Sequence, residues 1–348
     1  MSSFSILSLR TLKWAGATAL LTASVCSAAW AQTPRETWHD SLTTGYAALA
    51  EQAGALDQAA STYCQAPSAD TRSQLENAWR EAFDSWQAVR FVDFGPVEQD
   101  NLAWQFQFWP DAKNTVARKA NQWLGSEQPI GVEQLKADSV AVKGFPALEY
   151  LLFDPQAAKS QPLPQERACA LLTGITALLQ RNSAQLQQQW QDFRPHYLNT
   201  EQFQRTTVLA AMHGVETLRN KRLAAPMGLE GKPRRNPYLA DAWRSEHSLA
   251  GMRASLVGLQ QYFLPGLRQW MDNDQGAELT NRLDQQLTTT IQRLERQPAD
   301  LQQLLADDDG YRNLQLIFIE VDKLNQLLSG NIASQLGIVR GFNSSDGD

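Results

Sequence analysis

The chain has 348 residues, with 31 Lys plus Arg against 37 Asp plus Glu, a formal net charge of −6 and an apolar fraction of 43%. That length is enough for one large domain or two smaller ones with a real core. An acidic chain of this kind argues against nucleic acid as a partner.

Residues 1–31 read as a cleaved secretory signal: Arg10 and Lys13 precede an apolar segment from Trp14 to about Val25, and Ala29-Trp30-Ala31 fits the small-x-small cleavage rule. The apolar segment is too short and too rich in Ala and Thr to span a membrane, and no later stretch is apolar enough. The expectation is a periplasmic protein with no transmembrane span in its mature form. A lipoprotein anchored at Cys26 is the second reading, weakened by Val25 just before it. Loss of Arg10 and Lys13 lowers Lys plus Arg from 31 to 29 against 37 acidic residues, a net of about −8. Two cysteines then remain, Cys64 and Cys169, either a disulfide in an oxidising compartment or two separate buried thiols.

Helical periodicity dominates the mature chain. Tyr46, Leu49, Ala53, Leu56, Ala60 and Tyr63 predict a helix from Pro34 to Cys64, ended by Pro67. A second, starting near Ser68 or Asp70, carries Leu75, Trp79, Phe83, Trp86 and Val89 on one face. Residues 90–111 are aromatic and irregular, the composition of a segment packed over something. Within them Arg90, Trp109 and Asp111 serve either a cleft or the anchoring of the loop. Short helices are expected over Thr115–Leu124 and Val132–Val142.

The run Gly144-Phe145-Pro146-Ala147-Leu148-Glu149-Tyr150-Leu151-Leu152-Phe153 places one carboxylate among apolar residues, with Pro146 in the first helical turn. The helical neighbours of Glu149 at three and four residues cannot share its charge, so it needs a cation, a metal or a donor from elsewhere, or it stays protonated. Arg90 is one candidate counter-ion. After a Pro-rich loop, Asp154–Pro164, a long helix runs from Gln165 to Phe193. The next, Thr200–Ala224, carries His213-Gly214-Val215-Glu216, whose His213 and Glu216 share a face and suit a single ion, or else form a surface pair or hold a core His. Arg219, Lys221, Arg222, Lys232, Arg234 and Arg235 then form a basic cluster, either an anion-attracting patch or a solvated loop. A helix is expected from Leu239 to Phe263, with Glu246 and His247 as further ligand candidates. Another comes after it over Leu279, Leu283, Leu287, Ile291 and Leu294. Asp307, Asp308 and Asp309 read as the acidic start of the last helix, Tyr311–Leu328.

The Gly144…Glu149 segment resembles the Gly-x-His-x-x-Glu motif of imelysin-like proteins, with Pro146 where that family has His. Gly95-Pro96, Trp109-Pro110-Asp111, the stretches around Leu218–Leu223 and Trp243–Ser248, and the Leu336-Gly337…Gly341-Phe342-Asn343…Asp346-Gly347-Asp348 tail resemble the same family, so the likeness covers nearly the whole mature chain. It implies an all-α fold of two helical-bundle halves around a shared cleft, with soft halves 32–160 and 161–348. It also implies a role in iron acquisition with envelope iron-transport partners, and metal binding, iron being the expected cofactor. Glu149, His213, Glu216 and His247 are the expected ligands, with Arg90, Trp109, Asp111, Gly144 and Pro146 in the cleft. A ligand-binding or scaffold protein that has lost the metal is the alternative, in which a guanidinium neutralises Glu149. No zinc helix, nucleophile elbow, phosphate loop or haem attachment site is present, so the peptidase reading stands last.

Overall fold

The computed structural model describes residues 32–160 and 162–338 together with Met1; the signal segment, Cys26 and all of the tail beyond residue 338 lie outside them. The described residues contain helices and turns but no strand, so the fold is all-α. The described residues from Thr33 onward form one compact unit.

Local sequence chemistry starts these helices where expected. Thr33 accepts from the Glu36 amide at 3.3 Å while the Glu36 carboxylate accepts from the Thr33 amide at 2.7 Å, and Pro34 occupies the first turn, so the Pro34–Gln65 helix opens on a closed capping box. Ser68 and Thr71 repeat the device for Ala69–Val89. Asp307 caps the Asp308–Gln326 helix through the Gly310 amide at 2.7 Å, with Asp308 and Asp309 in the first turn against the positive end of the dipole.

The Pro34–Gln65 helix packs on Ala69–Val89 and on the long Glu166–Asn199 helix. Cys64 and Cys169 tie the first to the third by a disulfide with 5.7 Å between Cα atoms. Where the sequence suggests a Pro-rich loop, Pro155–Ser160 is a short helix, and the buried apolar side chains on either side of it belong to one continuous cluster running from Trp38 to Ile338.

Two glycines allow the approaches that build the site. Gly144 has φ of +65°, and a Cβ there would lie 2.1 Å from the Phe106 carbonyl oxygen, so only glycine can start the Gly144–Phe153 helix against the preceding aromatic segment. Gly258 sits so close to the Ala69–Val89 helix that a Cβ would lie 1.9 Å from the Ala88 carbonyl oxygen.

The chain departs from the expected helix at 239–247. Residues 240–247 form a loop, with Ala242 and Glu246 at φ of +51° and +55°, and the helix begins at Ser248. The loop is held by specific bonds: the Ser248 hydroxyl donates to the Asp241 carbonyl and Ser245 to Glu149. Gln202–Thr217 widens into a π-helical turn over Leu218–Ala224, which carries Lys221 and Arg222.

Candidate functional site

Glu149 is 3% exposed on the Gly144–Phe153 helix. Its Oε1 accepts from the Ser245 amide at 2.9 Å and the Ser245 hydroxyl at 3.0 Å, so the carboxylate latches the 240–247 loop onto the helix. Burial raises its pKa, and the positive charge of Arg244 and the Ser245 donors oppose that rise. The partner that the sequence demanded is therefore a loop residue 96 positions away, and the guanidinium acting on Glu149 is that of Arg244. Arg244 donates to Asp154 at 2.6 Å and lies over the rings of Trp243 and Tyr150 at 4.3 and 5.6 Å.

Arg90 has a different partner from the one suggested by sequence. It donates to Asp241 Oδ2 at 3.2 Å and to Gln87 at 3.1 Å, and it lies 5.6 Å over the Trp109 ring. Burial, then repulsion from Arg222, pulls its pKa down to about 10. Asp241 also receives Arg222 Nε, at 3.2 Å on Oδ1 and 3.1 Å on Oδ2, and Gln107 at 3.1 Å. Asp241 is thus a buried anion between two guanidinium groups, an arrangement that no spacing in the sequence announces.

This triad is the wall between two cavities. The first, about 520 Å³, is bounded by Glu149, Pro146, Trp243, Arg244, Tyr238 and Asp241 among others. The second, about 440 Å³, is bounded by Arg90, Arg222, Lys221, Trp86, Trp104 and His213 among others. Gln107 and Trp109 line both. Asp111 borders the first cavity but works as a loop anchor: its carboxylate accepts from the Thr115 and Val116 amides at 2.7 and 2.9 Å. Trp109 is fixed by its ring N–H, which donates to the Leu239 carbonyl at 3.2 Å.

The four candidate metal ligands are not drawn to one point. His213 is 63% exposed and borders the second cavity, with Nδ1 2.8 Å from Asp93. Its apolar sequence neighbours Ala210, Ala211, Met212 and Val215 are buried while it faces out. His247 is paired with Asp84 at 2.9 Å and stands edge-on beside the stacked rings of Trp79 and Phe83. Glu216 comes three residues after His213 and is half-buried. Among the described residues, no three His, Cys, Asp or Glu are grouped so as to hold an ion. The basic cluster likewise divides: Arg219 pairs with Asp322, Arg222 with Asp241 and Arg235 with Asp308, while Lys232 and Arg234 are exposed.

Residues 42–329 match the family model described as imelysin, peptidase M75. The chain belongs to the imelysin family. It is 27% identical over 271 residues to iron-regulated protein A of Synechococcus elongatus, covering 75% of this chain and 70% of that one. Its fold is shared with an imelysin-like protein from Psychrobacter arcticum 273-4, with a TM-score of 0.76, 22% identity, and coverage of 88% of this chain and 98% of that one. An iron-regulated protein A precursor from Parabacteroides distasonis ATCC 8503 has a TM-score of 0.64 at 12% identity, covering 88% and 97%. Gly144, Pro146 and Glu149 all lie within the matched residues. Among its described residues, no helix is long and apolar enough to cross a membrane.

Proposed function

We propose that this imelysin-family protein is a periplasmic ligand-binding protein serving iron acquisition, and that iron reaches it as a chelate recognised through its organic shell. The observation that carries this reading is the state of Glu149: one oxygen is taken by two Ser245 donors, Arg244 supplies the neighbouring charge, and the partner role falls to these groups rather than to an imidazole. A bare ion needs several converging donors, which His213 and His247, committed to Asp93 and Asp84, do not offer here. A chelate brings its own donors and needs only a cavity of matching size and charge.

The first cavity has that character. Its volume of about 520 Å³ falls in the range of small-molecule sites. Its wall combines rings with carboxyl groups, of which Asp154 is answered by Arg244 and Asp241 by Arg90 and Arg222 behind it, so the wall offers no unanswered guanidinium to an anionic complex and favours a neutral or cationic one. The closed Cys64–Cys169 bridge supports an oxidising compartment, in keeping with the leader expected over residues 1–31. Delivery to an envelope transport partner belongs to the same reading.

The test offers the mature protein iron in three forms, as ferrous ion, as anionic ferric citrate and as neutral ferric tris-acetohydroxamate, and measures retained iron by elemental analysis after dialysis. The neutral chelate is expected to be retained near stoichiometrically and to be lost when Tyr238→Ala and Trp243→Ala open the cavity. Stoichiometric retention of free ferrous ion, abolished in both Glu149→Ala and His213→Ala, would replace this reading with a bare-ion site. Retention of no form would remove iron from the account.

A further inference from the structure

The second cavity has the opposite chemistry to the first and a different set of side chains. Three cations border it, Arg90, Arg222 and Lys221, and the carboxylate on its rim, Asp93, is engaged by His213. Asp241, which balances the two arginines, faces the other cavity. Arg222 is 2% exposed, uses Nε on Asp241 and Nη1 on Ser255 at 2.8 Å, and keeps Nη2 buried without a hydrogen-bond partner. A buried donor left unpaired is costly, and this one packs beside Gly251 rather than opening onto the cavity, so the charge of Arg222 rather than a free N–H is what it offers there. The remaining wall is aromatic: Trp86 and Trp109 lie inside, and Trp104 is 45% exposed, leaning on Phe108 with 5.8 Å between ring centres.

From this combination we infer that the second cavity is a binding site for an aromatic organic anion, its carboxylate or sulfonate meeting Arg222, Arg90 and Lys221 and its ring lying between Trp104 and Trp109. The charge selects the anion, because an otherwise acidic protein gathers these three cations on one concave surface. The rings select a flat ligand, since indole faces stack on aromatic systems and present little polar surface to a sugar acid or a free phosphate. A volume of about 440 Å³ admits a bicyclic acid with room for a substituent. Glu149 is not among the side chains that border this cavity.

Calorimetric titration of the disulfide-intact, metal-free protein with 1-naphthoate and with its neutral analogue 1-naphthylmethanol tests this inference. One naphthoate is expected to bind at least about tenfold tighter than the alcohol, the scale of one favourable charge contact. Lys221→Glu should remove that preference, and Thr217→Trp, which fills the cavity from its wall, should weaken naphthoate by about tenfold or more. Trp104→Ala provides a variant at an exposed position that leaves the core intact, and it should weaken naphthoate severalfold even if Thr217→Trp does not fold. Tyr238→Ala, on the other cavity, should leave the naphthoate affinity as it is. Equal affinity for acid and alcohol, or naphthoate binding that survives Lys221→Glu and Trp104→Ala, or that depends on Tyr238, would overturn the assignment.

Discussion

Asp241→Ala is the substitution to which the fold around the site is most exposed. Asp241 lies within 3.2 Å of guanidinium nitrogens from both Arg90 and Arg222, and it also accepts from Gln107. Arg222 is 2% exposed and Arg90 is 20% exposed, so neither can turn to bulk water without moving the π-helical turn or the end of the Ala69–Val89 helix. Removing their shared anion leaves a buried guanidinium uncompensated, a loss of about 3 to 5 kcal/mol. The charge repulsion that already lowers the Arg90 pKa would then act unopposed. The assay is urea unfolding followed by tryptophan fluorescence and circular dichroism, accepting only coincident transitions. Arg222→Met combined with Asp241→Ala should recover part of the loss, because the deepest charge goes with its partner. A loss below about 1 kcal/mol for Asp241→Ala, or a double variant less stable than the sum of the singles, would refute the view that this triad is a charge-balanced wall.

The same geometry sets the outcome of other substitutions. Glu149→Gln keeps the oxygen that accepts from Ser245 but cannot ionise. Because burial raises the Glu149 pKa, the folded state holds its proton to higher pH than the unfolded state, so its contribution to stability is present below the ordinary carboxylate range and declines as pH rises through the folded value. Unfolding measured from pH 4 upward, to about pH 8, should show that decline in wild type and a flatter profile in the variant; parallel profiles would count against it. Replacing Cys64 and Cys169 by Ala releases a loop spanning 105 residues, and a loss of about 4 to 5 kcal/mol is expected in the chain-entropy account, read by denaturation beside the oxidised protein. Gly144→Ala places a Cβ at a positive φ against the Phe106 carbonyl, so a loss above about 3 kcal/mol or failure to fold is expected, and a stable variant with an unchanged near-ultraviolet spectrum would contradict the close approach.

The fold is largely legible in the sequence because helices announce themselves locally. The 3.6-residue spacing of Leu49, Ala53, Leu56 and Ala60, the caps at Thr33 and Ser68, and Pro146 in a first turn are all short-range signals, and each helix they mark is present. The 240–247 loop escapes such a reading because it contains neither Gly nor Pro to mark a break, and because its positive-φ residues are Ala242 and Glu246, neither a residue type that signals the left-handed region. His213 misleads for a related reason. Ala211, Met212 and Val215, one or two residues away, point to other faces of the same helix, so their burial says nothing about its own.

The site is legible only as a demand. The apolar run around Glu149 requires that its carboxylate be answered, but the answers come from Arg244 and Ser245, far along the chain, and nothing in a single sequence distinguishes Arg90, Arg222 and Arg244 as answering arginines. Geometry does: Arg244 acts on Glu149, while Arg90 and Arg222 are both drawn to Asp241. With Asp241 on the side of the first cavity and its two cations on the side of the second, the shared wall is polarised, acid toward one chamber and base toward the other. Any anion that takes Arg90 or Arg222 in the second chamber weakens the hold on Asp241 and makes the first chamber more negative, so occupancy by an anion in one and by a cationic complex in the other should reinforce each other.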